Sequence, residues 1–311
     1  KKIAIIEEIL YNAGGRILRE RGEIVFNIIV NCHARRVKKL IAAMEARLRA
    51  HGAQYRFFYT QREGDAGKYA YSLSAAGGTE FIVVGGDGTL NEVVSGLSDP
   101  CVCTVGLVPA GTGNDFAASM NIPHGIRALD LILDGTPQPV DYIECGTRRS
   151  INIVGTGIDV EILRRCARMR FGTNKGKYFR SLVATLFHYR GTKLTVTVGG
   201  ETKEYFALIA AVCNGKQFGG GIPICPVADV ADGQLELVIV DSPKRRKIVF
   251  ELIRLMRGKL LERPITHHIS CSEAMITSPD GNIFVQYDGE IEEAEALNAH
   301  LVAGKLRMYR G

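Results

Sequence analysis

The residues best suited to chemistry lie in two glycine-rich stretches, Gly85-Gly86-Asp87-Gly88-Thr89 and Pro109-Ala110-Gly111-Thr112-Gly113-Asn114-Asp115. Each follows an apolar run (Phe81–Val84, Cys103–Val108) and leads into a helix-like segment. A strand-to-helix turn without bulky side chains brings backbone N–H groups to an anion at a helix N-terminus, where the helix dipole also favours negative charge. One such turn is often structural only; two after neighbouring strands point to the phosphates of a nucleotide. Thr89 is expected to cap the following helix or to donate its hydroxyl to a phosphate oxygen. Carboxylates beside phosphates repel unless Mg²⁺ or a donor lies between them. Asp87 and Asp115 therefore imply a metal–nucleotide complex or an acceptor role toward a hydroxyl. For Asp115 the plainer reading is a first-turn residue serving the helix dipole. Neither stretch fits G-x-x-x-x-G-K-[ST], and the first lacks the G-x-G-x-x-G spacing, which counts against a P-loop kinase and a hydride-transferring enzyme.

The elements that must position these turns alternate. Phe26–Val30 reads as a buried strand, Arg35–Ala50 as a helix on the spacing of Val37, Leu40, Ile41, Met44 and Leu48, and Gln54–Tyr59 as a second strand. Gly67–Ala76 and Leu90–Leu97 read as helices around the third strand, and Phe116–Met120 and Ile126–Leu133 as helices after the fourth. Strand–helix alternation predicts a doubly wound α/β domain with a mostly parallel sheet, whose ligands bind beyond the carboxyl ends of the strands. Both turns fall there. From about Val140 the texture changes to strand-like segments: 140–145, 150–154, 193–198, 204–212, 234–240, 268–272, 273–277 and 283–287. Two helical stretches, 178–189 and 247–260, interrupt them. The expected organisation is an unassigned segment 1–25, a nucleotide-binding domain 26–139, and a predominantly antiparallel β domain 140–311 whose last strand can return to the first.

Composition excludes other classes. Hydrophobic residues are 46% and charged residues 23% of 311, so intrinsic disorder is out. No apolar run approaches the roughly 18–20 residues of a membrane span. No basic-then-apolar leader opens the chain; it starts at Lys1 rather than Met, which is compatible with a leader already removed. Eight scattered cysteines without a C-x-x-C pair read as reduced thiols in a cytoplasmic protein, not a disulfide framework or zinc site. A net charge of +6 suits anionic substrates or an anionic surface without proving either.

Taken together, the two glycine stretches resemble the signatures of the diacylglycerol kinase catalytic domain, in Gly85–Glu92 and Pro109–Ala117. The resemblance is nearest to the bacterial soluble lipid kinases, related to sphingosine and ceramide kinases, and runs from about Phe26 to the C-terminus. It implies an ATP- and Mg²⁺-dependent kinase that phosphorylates the hydroxyl of a lipid, diacylglycerol first, with a place in phospholipid biosynthesis. Residues similar to the family's nucleotide contacts are Thr60, Gly86, Asp87, Gly88, Thr89, Leu90, Asn91, Glu92, Thr112 and Asp115, with the turn Asn31-Cys32-His33-Ala34-Arg35. That turn departs from the family's N-P-x-[SA]-G, keeping the Asn but not the Pro or Gly; Arg35 and Arg36 would put charge in place of backbone donors. Val140-Asp141 and Gly155–Asp159 resemble motifs that open the second domain, and Asp141 is expected to help Asp87 and Asp115 hold the catalytic Mg²⁺. The loop ending in Asp232-Gly233-Gln234 resembles one that binds a structural Mg²⁺, which implies ligands at Asp232, Asp229 and Gln234. Asp288-Gly289-Glu290 resembles the family's D-G-E, which places the catalytic base at Asp288 or Glu290. From spacing alone, both Asp-Gly pairs read as turns.

Two rivals remain. NAD kinases share the first glycine stretch, although the second argues against them. The altered 31–35 turn supports a non-catalytic nucleotide- or lipid-binding protein. Basic clusters at Arg164, Arg165, Arg168 and Arg170, at Lys175, Lys177 and Arg180, at 244–247, and at Arg254, Arg257 and Lys259 are expected to hold the protein peripherally on an anionic membrane; solvated helix faces are the plainer reading of each. Aromatics are not interleaved with these basics, which counts against nucleic acid. A homodimer is compatible with the resemblance.

Overall fold

The computed structural model describes residues 24–33, 37–169, 174–244 and 247–311. Segment 1–23, Ala34, Arg35, Arg36, Arg170 and the 245–246 pair lie outside them, as does the side chain of Lys175. The first lobe runs β1 (Val25–Asn31), α1 (Val37–Ala50), β2 (Gln54–Thr60), α2 (Asp65–Ala75), β3 (Glu80–Gly85), α3 (Asp87–Gly96), β4 (Thr104–Pro109), α4 (Asp115–Ser119) and α5 (Ile126–Asp134). The strands pair in parallel in the order β4-β3-β1-β2. Right-handed crossovers with this order put α1 on one face and α2 and α3 on the other. Accordingly α1 packs on α5, tied by Arg47 Nε to Asp130 at 2.7 Å, and α2 packs on α3. β3 and β4 are buried on both faces, so they read as unbroken apolar runs.

The second lobe is built from β5 (Gln138–Cys145), β6 (Arg148–Ser150), β7 (Ile153–Gly157), α6 (Ile158–Arg168), α7 (Asn174–His188), β8 (Thr192–Val198), β9 (Glu201–Cys213), β10 (Leu235–Asp241), α8 (Ile248–Met256), β11 (Thr266–Cys271), β12 (Glu273–Thr277), β13 (Ile283–Tyr287), β14 (Glu290–Ala294) and β15 (Ala296–Met308). Its strands pair antiparallel. One apolar core lies under β8, β9, β10 and β12. A second joins α6, α7, α8 and the 218–228 loop. β15 pairs antiparallel with β12 and β5, and its end, Arg307-Met308, pairs parallel with Thr104-Val105 of β4. The lobes therefore share a strand.

Three local departures from the sequence reading have physical causes. The expected strand 150–154 is two strands, because the Ile151 and Asn152 N–H groups point to the Asp288 carboxylate instead of a neighbouring strand. The third glycine-flanked helix starts at Asp87, not Leu90, so the first glycine motif supplies the first helical turn. A helix at Ile158–Arg168 was not expected in the second lobe. Its apolar period, Ile158 and Ile162, follows directly on Gly155-Thr156-Gly157, which reads as loop.

Candidate active site

The two glycine turns touch through their backbones. A Cβ on Gly111 would sit 2.5 Å from the Gly86 Cα, and one on Gly86 would sit 2.9 Å from the Gly111 Cα. No side chain fits there. The Ala110 N–H donates to the Gly85 carbonyl at 2.7 Å, and Asn114, in the left-handed region at φ 57°, closes its turn with paired bonds to Gly111. Asp87 locks the turns further: its carboxylate accepts the N–H groups of Asp115 and Phe116 at 3.1 and 3.0 Å, capping α4 from the other loop. Thr89 does not cap its own helix, where Gly86 is the N-cap without a side-chain bond. Its hydroxyl oxygen instead accepts from Asn31 Nδ2 at 2.9 Å, tying the end of β1 to the first turn. Asn31 also accepts the His33 N–H at 2.9 Å, and Cys32 and His33 are exposed.

A cleft of about 280 Å³ opens between these turns and the second lobe. Asp87, Thr112, Gly113 and Asp115 form one wall; Asn152, Asp159, Leu163, Phe218, Gln286 and Asp288 are on the other. Asp115 is 5% exposed and accepts from Gln217 Nε2 at 3.0 Å and the Gly220 N–H at 2.7 Å, so it ties α4 to the second lobe. Burial, and then the nearby Asp87 charge, raise its pKa against those bonds. Two neighbouring carboxylates, one of them buried, are a donor set that a dication would relieve, so Asp87 and Asp115 fit a nucleotide-bound Mg²⁺. Each oxygen of the pair accepts one N–H, which leaves a lone pair on each for such an ion or its water.

Asp288 and Gly289 occupy the two-residue turn between β13 and β14, with φ of 49° and 99° and Tyr287 paired to Glu290. The turn reading is thus met, and the side chain does more. Its carboxylate accepts from the N–H groups of Ile151, Asn152 and Ile153, at 2.8, 3.2 and 2.8 Å. The Asn91 amide nitrogen, turned toward its two acceptors, donates to Asp288 Oδ2 at 3.0 Å and to the Arg149 carbonyl at 3.2 Å. Burial pushes the Asp288 carboxyl up to about 6, against those backbone donors. Glu290 lies apart, exposed and held by Arg148 at 3.1 Å, on a second groove of about 470 Å³ that it shares with Asn91, Glu92 and Lys68.

Asp159 is the unforeseen member of the cleft. It is 2% exposed, and neither carboxylate oxygen has a hydrogen-bond partner at normal geometry. Burial pushes it up to about 7; the neighbouring Val160 N–H and the Gln286 side chain offset only part of that.

The loop proposed for a structural cation is separate. Asp141, 1% exposed, accepts the Gly233 N–H at 2.8 Å and the Gly304 N–H at 2.6 Å, so it serves this loop and β15, not the cleft. Asp232 accepts the Gln234 N–H at 3.0 Å; burial and then the Asp229 charge raise its pKa. Asp229 accepts the Ala231 N–H and pairs with Arg310 at 3.6 Å. The Asp232 carboxylate, with the Asp229 charge close by, suits a hard cation, although no group of three His, Cys, Asp or Glu spaced for a metal occurs among the described residues.

The model of the diacylglycerol kinase catalytic domain matches residues 26–145, and that of the YegS C-terminal NAD kinase beta sandwich-like domain matches 152–310. The chain belongs to the diacylglycerol kinase and YegS-like lipid kinase family. It is 30% identical to a "probable lipid kinase YegS-like" of Xanthomonas oryzae pv. oryzae over 84% of this chain and 88% of that one. It is 29% identical to a diacylglycerol kinase of Mycobacterium tuberculosis over 75% of this chain and 81% of that one. In fold it superposes on a crystal structure of a diacylglycerol kinase from Bacillus anthracis str. Sterne with a TM-score of 0.71 at 21% identity, covering 93% and 97% of the two chains. This kinase is accordingly a phosphotransferase with an alcohol group as acceptor.

Of the residues singled out in the kinase sequence, the structure gathers Asp87, Thr112, Asp115 and Asp288 on one cleft, with Gly86 packed behind it. Gly88 lies on the first turn of α3, and Thr60 is buried at the end of β2, opposite Asn31. Leu90 is wholly buried core, and Glu92 accepts the Ala66 N–H at 3.2 Å, serving α2. Asn91 bridges the first turn to Asp288. Asp159 closes the Gly155–Asp159 stretch singled out in the sequence, but nothing in that stretch marks it as buried.

Proposed function

We propose that this enzyme transfers the γ-phosphoryl group of ATP, with Mg²⁺, to the hydroxyl of a lipid, diacylglycerol giving phosphatidic acid being the reaction of choice. The observation that carries the reading is the back-to-back pair of glycine turns facing an acidic second-lobe wall across one cleft. Phosphoryl transfer needs positioning and charge stabilisation more than covalent chemistry. The N–H groups at the start of α3, with Thr89, Thr112 and Asn31, would cradle the phosphates. Mg²⁺ bound with the nucleotide would neutralise charge on the transferred group, held by Asp87 and Asp115. The Asp288-Gly289-Glu290 turn would supply the carboxylate that takes the hydroxyl proton. A structural Mg²⁺ at Asp232, with backbone oxygens near Asp229 and Gln234, would order the 219–234 loop. The names of the relatives support the lipid acceptor. A lipid acceptor would have the enzyme act at a membrane surface, from the cytoplasm; no helix among the described residues is long and apolar enough to cross a membrane. Incubation with labelled ATP and a total lipid extract, followed by mass spectrometry of the product, tests this. A labelled phospholipid from wild type, lost in Asp87→Ala and Asp288→Asn but retained in Glu290→Gln, which lies on the other groove, is expected. Labelled NADP⁺ when NAD⁺ is offered, and no labelled lipid, would refute it.

A further inference from the structure

Helix α8 presents an apolar and cationic face outward. Val249, Phe250, Ile253 and Met256 are 48%, 66%, 43% and 45% exposed. Their spacing lines them up as one stripe. Scattered exposed apolar residues are normal on a protein surface, whereas four on a single nine-residue helix form a patch. Exposed Lys244, Lys247, Arg257 and Lys259 flank the stripe. The one acid in the helix, Glu251, is 6% exposed and turned inward, where it accepts Arg263 Nε at 3.1 Å and Nη2 at 3.0 Å. The outward side of the helix therefore offers apolar and positive groups without a negative one.

The inner side fixes where this face lies. Ile248, Leu252 and Leu255 pack into the core that also takes Ile158 and Ile162 of α6 and Ile222 of the 218–228 loop. Those two segments supply Asp159, Leu163, Phe218 and Gly220 to the cleft. The helix is thus the outer layer of the lobe that walls the site.

An apolar stripe flanked by cations matches a bilayer with anionic headgroups: the stripe enters the acyl boundary while the cations stay among the phosphates. A second copy of the chain fits less well, since an isologous contact would set cation against cation. We infer that α8 is an interfacial helix that docks the enzyme on an anionic bilayer and brings the cleft to the membrane surface. Its purpose rests on the lipid-kinase reading above; its test does not require turnover.

The full chain is sedimented with phosphatidylcholine vesicles, with or without about one third phosphatidylglycerol. Wild type pellets with the anionic vesicles, less so as salt rises. Lys247→Gln/Arg257→Gln lowers partitioning about 25-fold, at about fivefold per cation. Phe250→Ser/Ile253→Ser, at exposed positions, also loses vesicle binding yet keeps its rate on a detergent-dispersed acceptor. Unchanged pelleting of either variant overturns the inference. So does a dimer in light scattering that Phe250→Ser/Ile253→Ser dissociates, since the face would then belong to a second copy. Vesicle binding without phosphorylation of any dispersed lipid would sink the kinase reading and leave the docking helix standing; activity in detergent with no vesicle binding would do the opposite.

Discussion

Replacing Asp159 by Asn is expected to stabilise the protein, and more so in alkali. The folded-state pKa of about 7 stands above the 3.8 of a free carboxyl, so the chain must bury an anion at high pH. The sign follows from linkage: the carboxyl contributes stability fully below about pH 4, and this is lost as pH rises through about 7. At about 1.36 kcal/mol per unit, Asp159 costs about 4 kcal/mol at pH 8, where it is buried as an anion, and about 2 kcal/mol at pH 5, where folding must first protonate it. An amide in the same place is itself short of partners, at about 1–3 kcal/mol, but that cost does not vary with pH. The diagnostic quantity is therefore the change in the variant's advantage, about 2 kcal/mol larger at pH 8 than at pH 5. Other titrating groups, Asp288 included, are common to both proteins and drop out of the difference. Urea unfolding of wild type and Asp159→Asn at the two pH values measures it. An advantage that is the same at both would show that Asp159 is not buried as an anion, and would refute the reasoning.

Gly111→Ala is expected to destabilise by about 1–3 kcal/mol and to weaken ATP binding, because its Cβ would strike backbone; Gly88→Ala, with open space around it, serves as the unfolding control, and equal stability of the two would reject the contact. Lipid phosphorylation, read as kcat/KM, is expected to fall as pH drops through about 6, since Asp288 must be ionised both to hold its three N–H groups and to accept a proton; a profile flat to pH 5 contradicts this. Mg²⁺ without nucleotide is expected to raise the melting temperature of wild type but not of Asp232→Asn, and an equal rise in both would remove Asp232 as a ligand.

Much of the frame is legible because it is local. The runs Phe81–Val84 and Cys103–Val108 carry the parallel strands on their face, and glycines mark the strand ends. The α/β lobe followed by antiparallel strands follows from such periodicities. What escapes is long-range. Asp87 looks like a metal ligand from its neighbours, and only the tertiary structure shows it capping a helix that begins at Asp115. Thr89 reads as a cap until Asn31 is brought beside it. The break between β6 and β7 is imposed by a carboxylate at Asp288, more than a hundred residues away. Asp288 and Glu290 are two positions apart in sequence, yet the tight turn sends them to different hollows. Asp141 resembles a cleft residue by position, but its oxygens are taken by Gly233 and Gly304.

The last strand gives Asp141 a wider reach. β15 runs from the antiparallel lobe into the edge of the parallel sheet, and Gly304, at φ 60°, marks the irregularity where its pairing with β5 shifts. Asp141 clasps that kink with one oxygen and the Asp232-Gly233 turn with the other. The lobes therefore cannot swing about a slack tether. Any change in their mutual tilt must flex a hydrogen-bonded strap, and a strain arising at the Asp232 loop is passed to that strap through a single side chain.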